Sequence, residues 1–127
     1  VREIFAADGE PAFHEVERRA VAEGCAGSGG GVFAVAGGAV LDEDSRRLIR
    51  GRATHVVWLD APTDELVRRT ARVGHRPALD ADAAGTLATM RAARESLYRE
   101  IATARVETGG RDLDAVAAEV AGVVGAP

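Results

Sequence analysis

The side chains of this sequence that are best suited to chemistry are its arginines, which supply all 16 basic residues. A guanidinium group is planar and permanently charged, and it binds a carboxylate or a phosphate through two parallel hydrogen bonds. No lysine occurs in the chain, so lysine chemistry is excluded from these residues. The sequence therefore predicts that any anionic ligand is held locally by arginines.

The remaining reactive side chains point to no further chemistry. The single Cys25 cannot form an internal disulfide, which favours a reducing cytoplasm as the location. His55 and His75 show no metal-ligand spacing with Cys25 or with each other, so we expect no metal site on the protein side. The glycine-rich stretch 27–31 lacks a following GK[ST] string and is interpreted as a turn, not as a phosphate-binding loop.

Length and charge limit the kind of protein that positions these arginines. The 127 residues are 46% apolar and suit one folded domain, residues 1–127. The net charge of −4 gives no general attraction to nucleic acid or anionic lipid, and no apolar run approaches the ~20 residues of a membrane-spanning helix. We therefore expect neither nucleic acid nor membrane as a partner.

Apolar periodicity and capping residues predict an alternation of helices and strands. Trp58 and Phe33 are expected in the core, as strand residues. The predicted elements are helix 11–23, strand 32–36, helix 42–50, strand 54–59, helix 63–73, loop 74–82, helix 83–103, strand 104–107 and helix 112–124.

Strands separated by helices need crossover connections, which makes the sheet parallel with helices on both faces. The expected fold class is therefore a three-layer α/β domain. Ligands of such sheets gather beyond the carboxyl ends of the strands, where Gly37 and Gly38, Asp60 and the segment 108–111 are predicted to lie. We expect the site to form at that edge.

Several short strings together resemble the shikimate kinases, a family of the P-loop nucleoside-monophosphate-kinase type. The resemblance covers nearly the whole chain and rests on the order and spacing of Ile4-Phe5, Gly9-Glu10, Phe13-x-x-x-Glu17, Gly37-Gly38-Ala39-Val40, Arg76-Pro77, Arg94-x-x-Leu97-Tyr98 and Arg111. It implies a P-loop kinase fold in which the N-terminal β–loop–α unit, with its G-x-x-G-x-G-K-[ST] loop, is missing from these residues. Taken alone, the chain is not expected to turn over ATP, because that loop supplies the lysine and the phosphate cradle.

The resemblance implies a pocket for a small carboxylated cyclohexene triol, shikimate. An extended segment at Ile4-Phe5 and the helix containing Phe13, His14 and Glu17 would build it, with Gly37 and Gly38 letting the backbone approach the ring. His14 stands where the family has an arginine that grips the substrate carboxylate, oriented by the glutamate at position 17. Ala36 likewise replaces the first residue of a family glycine triplet.

Arginines further along the chain match the family's second carboxylate clamp and its nucleotide side. Arg94 matches the second carboxylate-binding arginine, and Arg76 matches the catalytic arginine of the mobile lid, here about 74–82, which also faces the nucleotide. Arg69 and Arg111 match the two residues that flank the adenine ring. ATP and Mg²⁺ are implied as cosubstrate and cofactor, although their main ligands are not in this chain.

Each of these residues also has an ordinary interpretation. His14 fits a pocket-rim histidine, Glu17 fits a carboxylate paired with Arg18 or Arg19, and Arg94 fits a helix arginine paired with Glu95. At the level of function three hypotheses stay open: a shikimate kinase, a kinase of a related cyclitol or polyol, and a non-catalytic remnant that binds a small anion or a protein partner. The complete family is expected to be monomeric, whereas a chain without the first strand of the sheet is expected to self-associate.

Overall fold

The computed structural model describes residues 2–27, 29–73 and 82–125, with side chains from residue 9 onward. It divides into two compact units, Val1–Thr54 (unit 1) and His55–Pro127 (unit 2). The single domain predicted for residues 1–127 stays a prediction.

Unit 1 contains helix α1 (Arg2–Ala26), a 3₁₀ helix (Gly37–Leu41) and helix α2 (Glu43–Arg52). Both α2 and the 3₁₀ helix pack against α1. Their shared core contains the buried side chains of Val21, Ala39, Val40 and Ile49. Helix α2 begins where its acidic residues predicted, because the Asp42 carboxylate accepts a hydrogen bond from the Ser45 backbone N–H at 2.8 Å.

Helix α1 has a sharp kink at Gly9, whose φ of 85° and ψ of 178° lie outside the helical region. A positive φ is readily adopted by glycine, and Pro11 then opens the second half of the helix at the predicted place. The first half corrects the extended segment expected at Ile4-Phe5, since the backbone from Arg2 is helical. Glu3, Ala6 and Ala7 are strong helix formers, which accounts for the difference.

The strand predicted at residues 32–36 is wrong. This segment is not in a β-sheet, and its apolar side chains are exposed, by 98% for Val32, 53% for Phe33 and 41% for Val35. A strand exists only through hydrogen bonds to a neighbouring strand, and within the described ranges no strand runs beside this one. An apolar run alone predicts burial but cannot supply the pairing partner.

Unit 2 contains strand β1 (Val57–Asp60), helix α3 (Thr63–Val73), helix α4 (Ala83–Ile101), strand β2 (Ala104–Glu107) and helix α5 (Leu113–Val123). The two strands pair in parallel, with Val57 opposite Ala104 and Asp60 opposite Glu107, as the crossover argument predicted. Helix α3 packs against α4, and α5 packs against β2, whose Val106 is fully buried. Parallel strands with helical crossovers confirm the α/β class.

Trp58 differs from its predicted core position, because it is only half-buried. One face of its ring stacks on Tyr98 of α4, with ring centroids 5.4 Å apart, and the Arg105 guanidinium lies 5.1 Å from the ring centroid.

Among the helices of the described residues, none is both long and apolar enough to cross a bilayer.

Candidate functional site

Unit 1 contains a pocket of about 220 Å³ formed by α1, the 3₁₀ helix and the start of α2. Three residues predicted to bind a substrate meet in it: His14 and Glu17 from α1, and Gly38 from the 3₁₀ helix. The other lining residues are Arg18, Ala39, Leu41, Asp42 and Ser45. The pocket is thus small, and its wall combines a histidine, two carboxylates and one arginine.

His14 and Glu17 share a face of α1 because residues three apart in a helix are neighbours. The His14 Nδ1 atom lies 3.5 Å from Glu17 Oε1, and the Nε2 atom lies 3.3 Å from Glu10 Oε1. Glu17 is nearly buried, with 10% of its side chain exposed, whereas Arg18 pairs with Glu15. Glu17 therefore faces residue 14 rather than Arg18.

Phe13 lies beside this pair, with its ring centroid 5.6 Å from that of His14. Gly37 begins the 3₁₀ helix that carries Gly38 to the pocket wall. The predicted substrate residues of unit 1 are therefore contributed by two elements packed on each other.

Asp42 gives the pocket a fixed negative charge. Burial raises the pKa of its carboxyl, but the hydrogen bond from the Ser45 N–H and the charges of Arg18 and Arg46 outweigh that effect, so the pKa is lowered from its ordinary value. Asp42 is therefore ionised at neutral pH, where its charge favours a ligand that offers hydroxyl donors.

In unit 2, Arg94 lies on α4 and is half-buried. Its Nε atom is buried and has no hydrogen-bond partner within the part of the chain that the structure describes. The neighbouring Glu95 pairs with Arg99 at 3.0 Å and faces Arg91 at 3.7 Å. A buried guanidinium nitrogen without a partner is costly, and an anionic ligand would satisfy it.

Arg69 and Arg111 meet at the carboxyl end of β2. Arg69 donates to the Thr108 Oγ1 atom at 3.0 Å and to the Thr108 carbonyl at 2.8 Å. Arg111 donates to the Glu107 carbonyl at 2.8 Å and also pairs with Glu119. The two guanidinium groups therefore hold consecutive carbonyls at one strand end, with 39% and 32% of their side chains exposed.

Arg76 and most of the lid predicted at about 74–82 lie outside the described residues. Within the described ranges, no cluster of histidine, cysteine and acidic side chains could hold a metal ion. The described residues therefore supply no Mg²⁺ site, and of the residues predicted on the nucleotide side they include Arg69 and Arg111.

Sequence reasoning missed the role of Asp60, Arg91 and Arg105 in unit 2. Asp60 was noted only as a strand-end residue, but its carboxylate is 5% exposed and lies between the guanidinium groups of Arg91 and Arg105. One sequence signal pointed to this buried acid, which is its position at the end of an apolar strand. The sequence did not indicate the partners, because Arg91 and Arg105 are 31 and 45 residues away from Asp60.

The fold is that of an α/β phosphotransferase of the P-loop kinase type. A family model described as "Shikimate kinase" matches residues 1–124. The chain belongs to the shikimate kinase family, and its family members are ATP-dependent phosphotransferases.

Individual relatives agree with this assignment. The shikimate kinase of Corynebacterium glutamicum is 42% identical over 118 residues, which cover 92% of this chain and 68% of that protein. The shikimate kinase of Bordetella avium is 46% identical over 107 residues, which cover 84% of this chain and 50% of that protein. A solved structure, shikimate kinase from Acinetobacter baumannii in complex with shikimate, is 28% identical with a TM-score of 0.83, covering 96% of this chain and 68% of that one.

Proposed function

We propose that this chain binds shikimate as the acceptor for the γ-phosphoryl group of ATP, which is transferred to the 3-hydroxyl. The observation that carries the proposal is the pocket of about 220 Å³ in which His14, Glu17 and Gly38 meet. These are three of the positions that the family resemblance assigns to the acceptor. The volume of this pocket is below the roughly 300–1,000 Å³ that is typical of pockets for drug-sized ligands. It therefore suits a smaller molecule.

Within this pocket, the acceptor ring would lie against Gly37 and Gly38, where no Cβ obstructs the backbone. His14 would contact the acceptor, and Glu17, 3.5 Å away, would orient the imidazole. The Asp42 and Glu17 carboxylates can accept hydrogen bonds from ring hydroxyls. These contacts orient the triol, which is the main protein contribution to phosphoryl transfer besides charge stabilisation.

Arg94 is proposed as a carboxylate clamp. Its guanidinium group is permanently charged, and its buried Nε lacks a partner in the described residues, so an acceptor carboxylate would complete its hydrogen bonding. With His14 in place of the family's other clamping arginine, Arg94 would carry most of the charge recognition.

On the nucleotide side, Arg69 and Arg111 are proposed to flank the adenine ring, since guanidinium groups stack on aromatic bases. Arg76 is proposed to contact the transferring phosphoryl group. ATP would supply that group and Mg²⁺ would offset its charge, but the described residues contain no metal-binding cluster. The residues of this chain would therefore bind and orient the acceptor and contact the adenine end of ATP, without holding its phosphates.

The first test is a calorimetric titration of the 127-residue chain with shikimate. Saturable binding that weakens about tenfold or more in Arg94→Met is expected, because a charge-assisted pair is lost. Arg68→Met, an exposed arginine of the same unit, is the control and should bind like the unchanged chain. Absence of saturable binding would overturn the proposal.

A second test addresses turnover. A phosphate-binding segment of the Corynebacterium glutamicum relative, placed ahead of Val1, should produce shikimate-dependent ADP release in a coupled assay. The isolated chain should show neither this activity nor measurable MgATP affinity. ADP release from the extended protein that does not depend on shikimate would count against shikimate as the acceptor.

The variant His14→Arg separates two acceptor classes in the extended protein. Both imidazole nitrogens of His14 face a glutamate, so the surroundings of this side chain are already negative. This favours an acceptor whose binding depends less on a carboxylate, such as a related cyclitol or polyol. If shikimate is the acceptor, His14→Arg should raise the rate on it steeply. An unchanged low rate would favour the cyclitol or polyol.

The partners and the location of the protein are proposed from its net charge and its cysteine content. The net charge of −4 supports a small-molecule substrate rather than nucleic acid or a membrane surface as partner. Cys25 is free, which supports a cytoplasmic location. Monomeric behaviour of the complete enzyme and self-association of this chain are both checked by sedimentation velocity.

A further inference from the structure

Five side chains of unit 2 form one continuous set of contacts between β1, β2 and α4, here called the Asp60 cluster. Asp60 and Trp58 come from the same face of β1, two residues apart, and Arg105 comes from β2. Arg91 and Tyr98 come from α4. The cluster therefore connects the helix that carries Arg94 to both strands.

The charged end of the cluster is a bidentate ion pair. Arg91 donates from Nη1 to Asp60 Oδ1 at 2.9 Å and from Nη2 to Asp60 Oδ2 at 3.2 Å. The same Nη1 donates to the Ala61 carbonyl at 2.9 Å. Two parallel hydrogen bonds fix direction as well as distance, so this pair restricts rotation and translation of α4 at residue 91.

The aromatic end of the cluster restricts the same helix at a second position. The Trp58 and Tyr98 rings stack with an interplanar angle of 28°. Arg105 joins the two ends, because its guanidinium lies over the Trp58 ring and its Nε donates to Asp60 Oδ2 at 2.9 Å. A change at either end therefore reaches the other through one side chain.

Arg94 lies between these two attachments. Residues 91, 94 and 98 have the i, i+3, i+7 spacing of a single helix face. The attachments are therefore about one turn before and one turn after Arg94. The buried Nε of Arg94, without a partner in the described residues, is thus held on a segment of helix restrained at both sides.

We propose that the Asp60–Arg91 ion pair and the Trp58–Tyr98 stack are positioning elements that hold Arg94 in the orientation needed to bind the acceptor carboxylate. The inference rests on the proposed role of Arg94. A clamp has to be held within about 0.5 Å of its productive geometry, and helix rigidity alone does not supply that, since the helix itself can shift. None of the five cluster residues contacts the substrate in this proposal.

The first experiment needs no substrate. In ¹⁵N-labelled protein, hydrogen exchange of the Arg94 Nε–H reports whether that atom stays buried. The unchanged chain should show protection, and Arg91→Met should lower it about tenfold or more, because α4 loses one of its two attachments beside Arg94. The control Arg68→Met, which removes exposed pairs to Glu65 and Asp64, should leave it unchanged. Equal protection in all three proteins would overturn the inference.

The second experiment separates positioning from general stability by a double-mutant cycle on shikimate affinity. Arg91→Met should weaken binding about tenfold in the unchanged chain, but add less than about twofold in an Arg94→Met background. The methyl ester of shikimate, which lacks the negative charge, should bind Arg91→Met and the unchanged chain alike. An equal loss in both backgrounds, or for both ligands, would show a purely structural role.

A conservative variant at position 91 and the affinity of the unchanged chain distinguish the possible outcomes. Arg91→Lys keeps the positive charge but cannot form the bidentate pair, so it should fold and show an intermediate loss of affinity. If the unchanged chain binds no shikimate, the proposed function fails, and the exchange experiment still decides whether the cluster controls Arg94. If shikimate binds and Arg91→Met has no effect, only the positioning inference fails.

Discussion

The ring of Phe33 lies directly over Gly24 of α1, so that a Cβ atom at position 24 would come within 2.3 Å of the Phe33 Cζ atom. This contact attaches the exposed, unpaired segment 32–36 to the helix. Glycine inside a helix costs about 1 kcal/mol relative to alanine, so its presence here is explained by the space that the ring occupies.

The first prediction concerns this contact. In a Phe33→Ala background, Gly24→Ala should raise the free energy of unfolding by up to about 1 kcal/mol, because only helix propensity changes. In the unchanged chain the same substitution should give no gain, since the added methyl displaces the Phe33 ring. Urea denaturation of the four proteins measures the difference. Equal effects in the two backgrounds would show that the ring does not rest on Gly24.

The second prediction concerns the cap of α2. Asp42→Ala should lower the free energy of unfolding by about 1 kcal/mol, because the Ser45 N–H loses its acceptor. Asp42→Asn keeps a side-chain oxygen in the same position and should lose less than half as much. Thermal and urea denaturation provide the measurement, and equal destabilisation by both variants would contradict a capping role.

The third prediction concerns pH. Burial raises the pKa of Asp60, but hydrogen bonds from Arg91 and Arg105 outweigh burial and hold it below its ordinary value of 3.8. A carboxyl with a lowered folded-state pKa contributes stability that is present above pH ~4 and lost as the pH falls through the folded pKa.

Asp60→Asn should therefore destabilise the chain by about 2 kcal/mol at pH 7, a value reduced because both arginines are partly exposed. The difference between the two proteins should shrink below pH 4. Urea denaturation at pH 7 and pH 3 checks this, and a constant difference would show that the charge of Asp60 is not what stabilises the chain.

The fourth prediction uses two adjacent arginines as a matched pair. Arg68 is exposed and pairs with acids of its own helix, whereas Arg69 reaches Thr108 at the end of β2. In the extended protein, Arg69→Met should weaken ATP binding about fivefold, while Arg68→Met should change it less than about twofold. Fluorescence titration with an ATP analogue measures both. Equal effects would argue against an adenine contact at Arg69.

Local residue order by itself determined most of the helices. Caps such as Asp42 and Asp112 and the opening proline at position 11 act on neighbours within four residues, so α2, α5 and the second half of α1 follow from sequence. The parallel arrangement of β1 and β2 also follows from sequence, because the two strands are joined by a long helical crossover and not by a short hairpin turn.

Only the tertiary structure decided which distant side chains meet. Residues 32–36 have the composition of a buried strand, but strand formation depends on a neighbour that composition does not show. Asp60 meets Arg91 and Arg105, and Arg69 meets Thr108, across separations of 31 to 45 residues, and no local pattern distinguishes these arginines from the solvated ones. Periodicity and capping describe contacts within a few residues, whereas ion pairs between elements depend on how the helices pack against the strands.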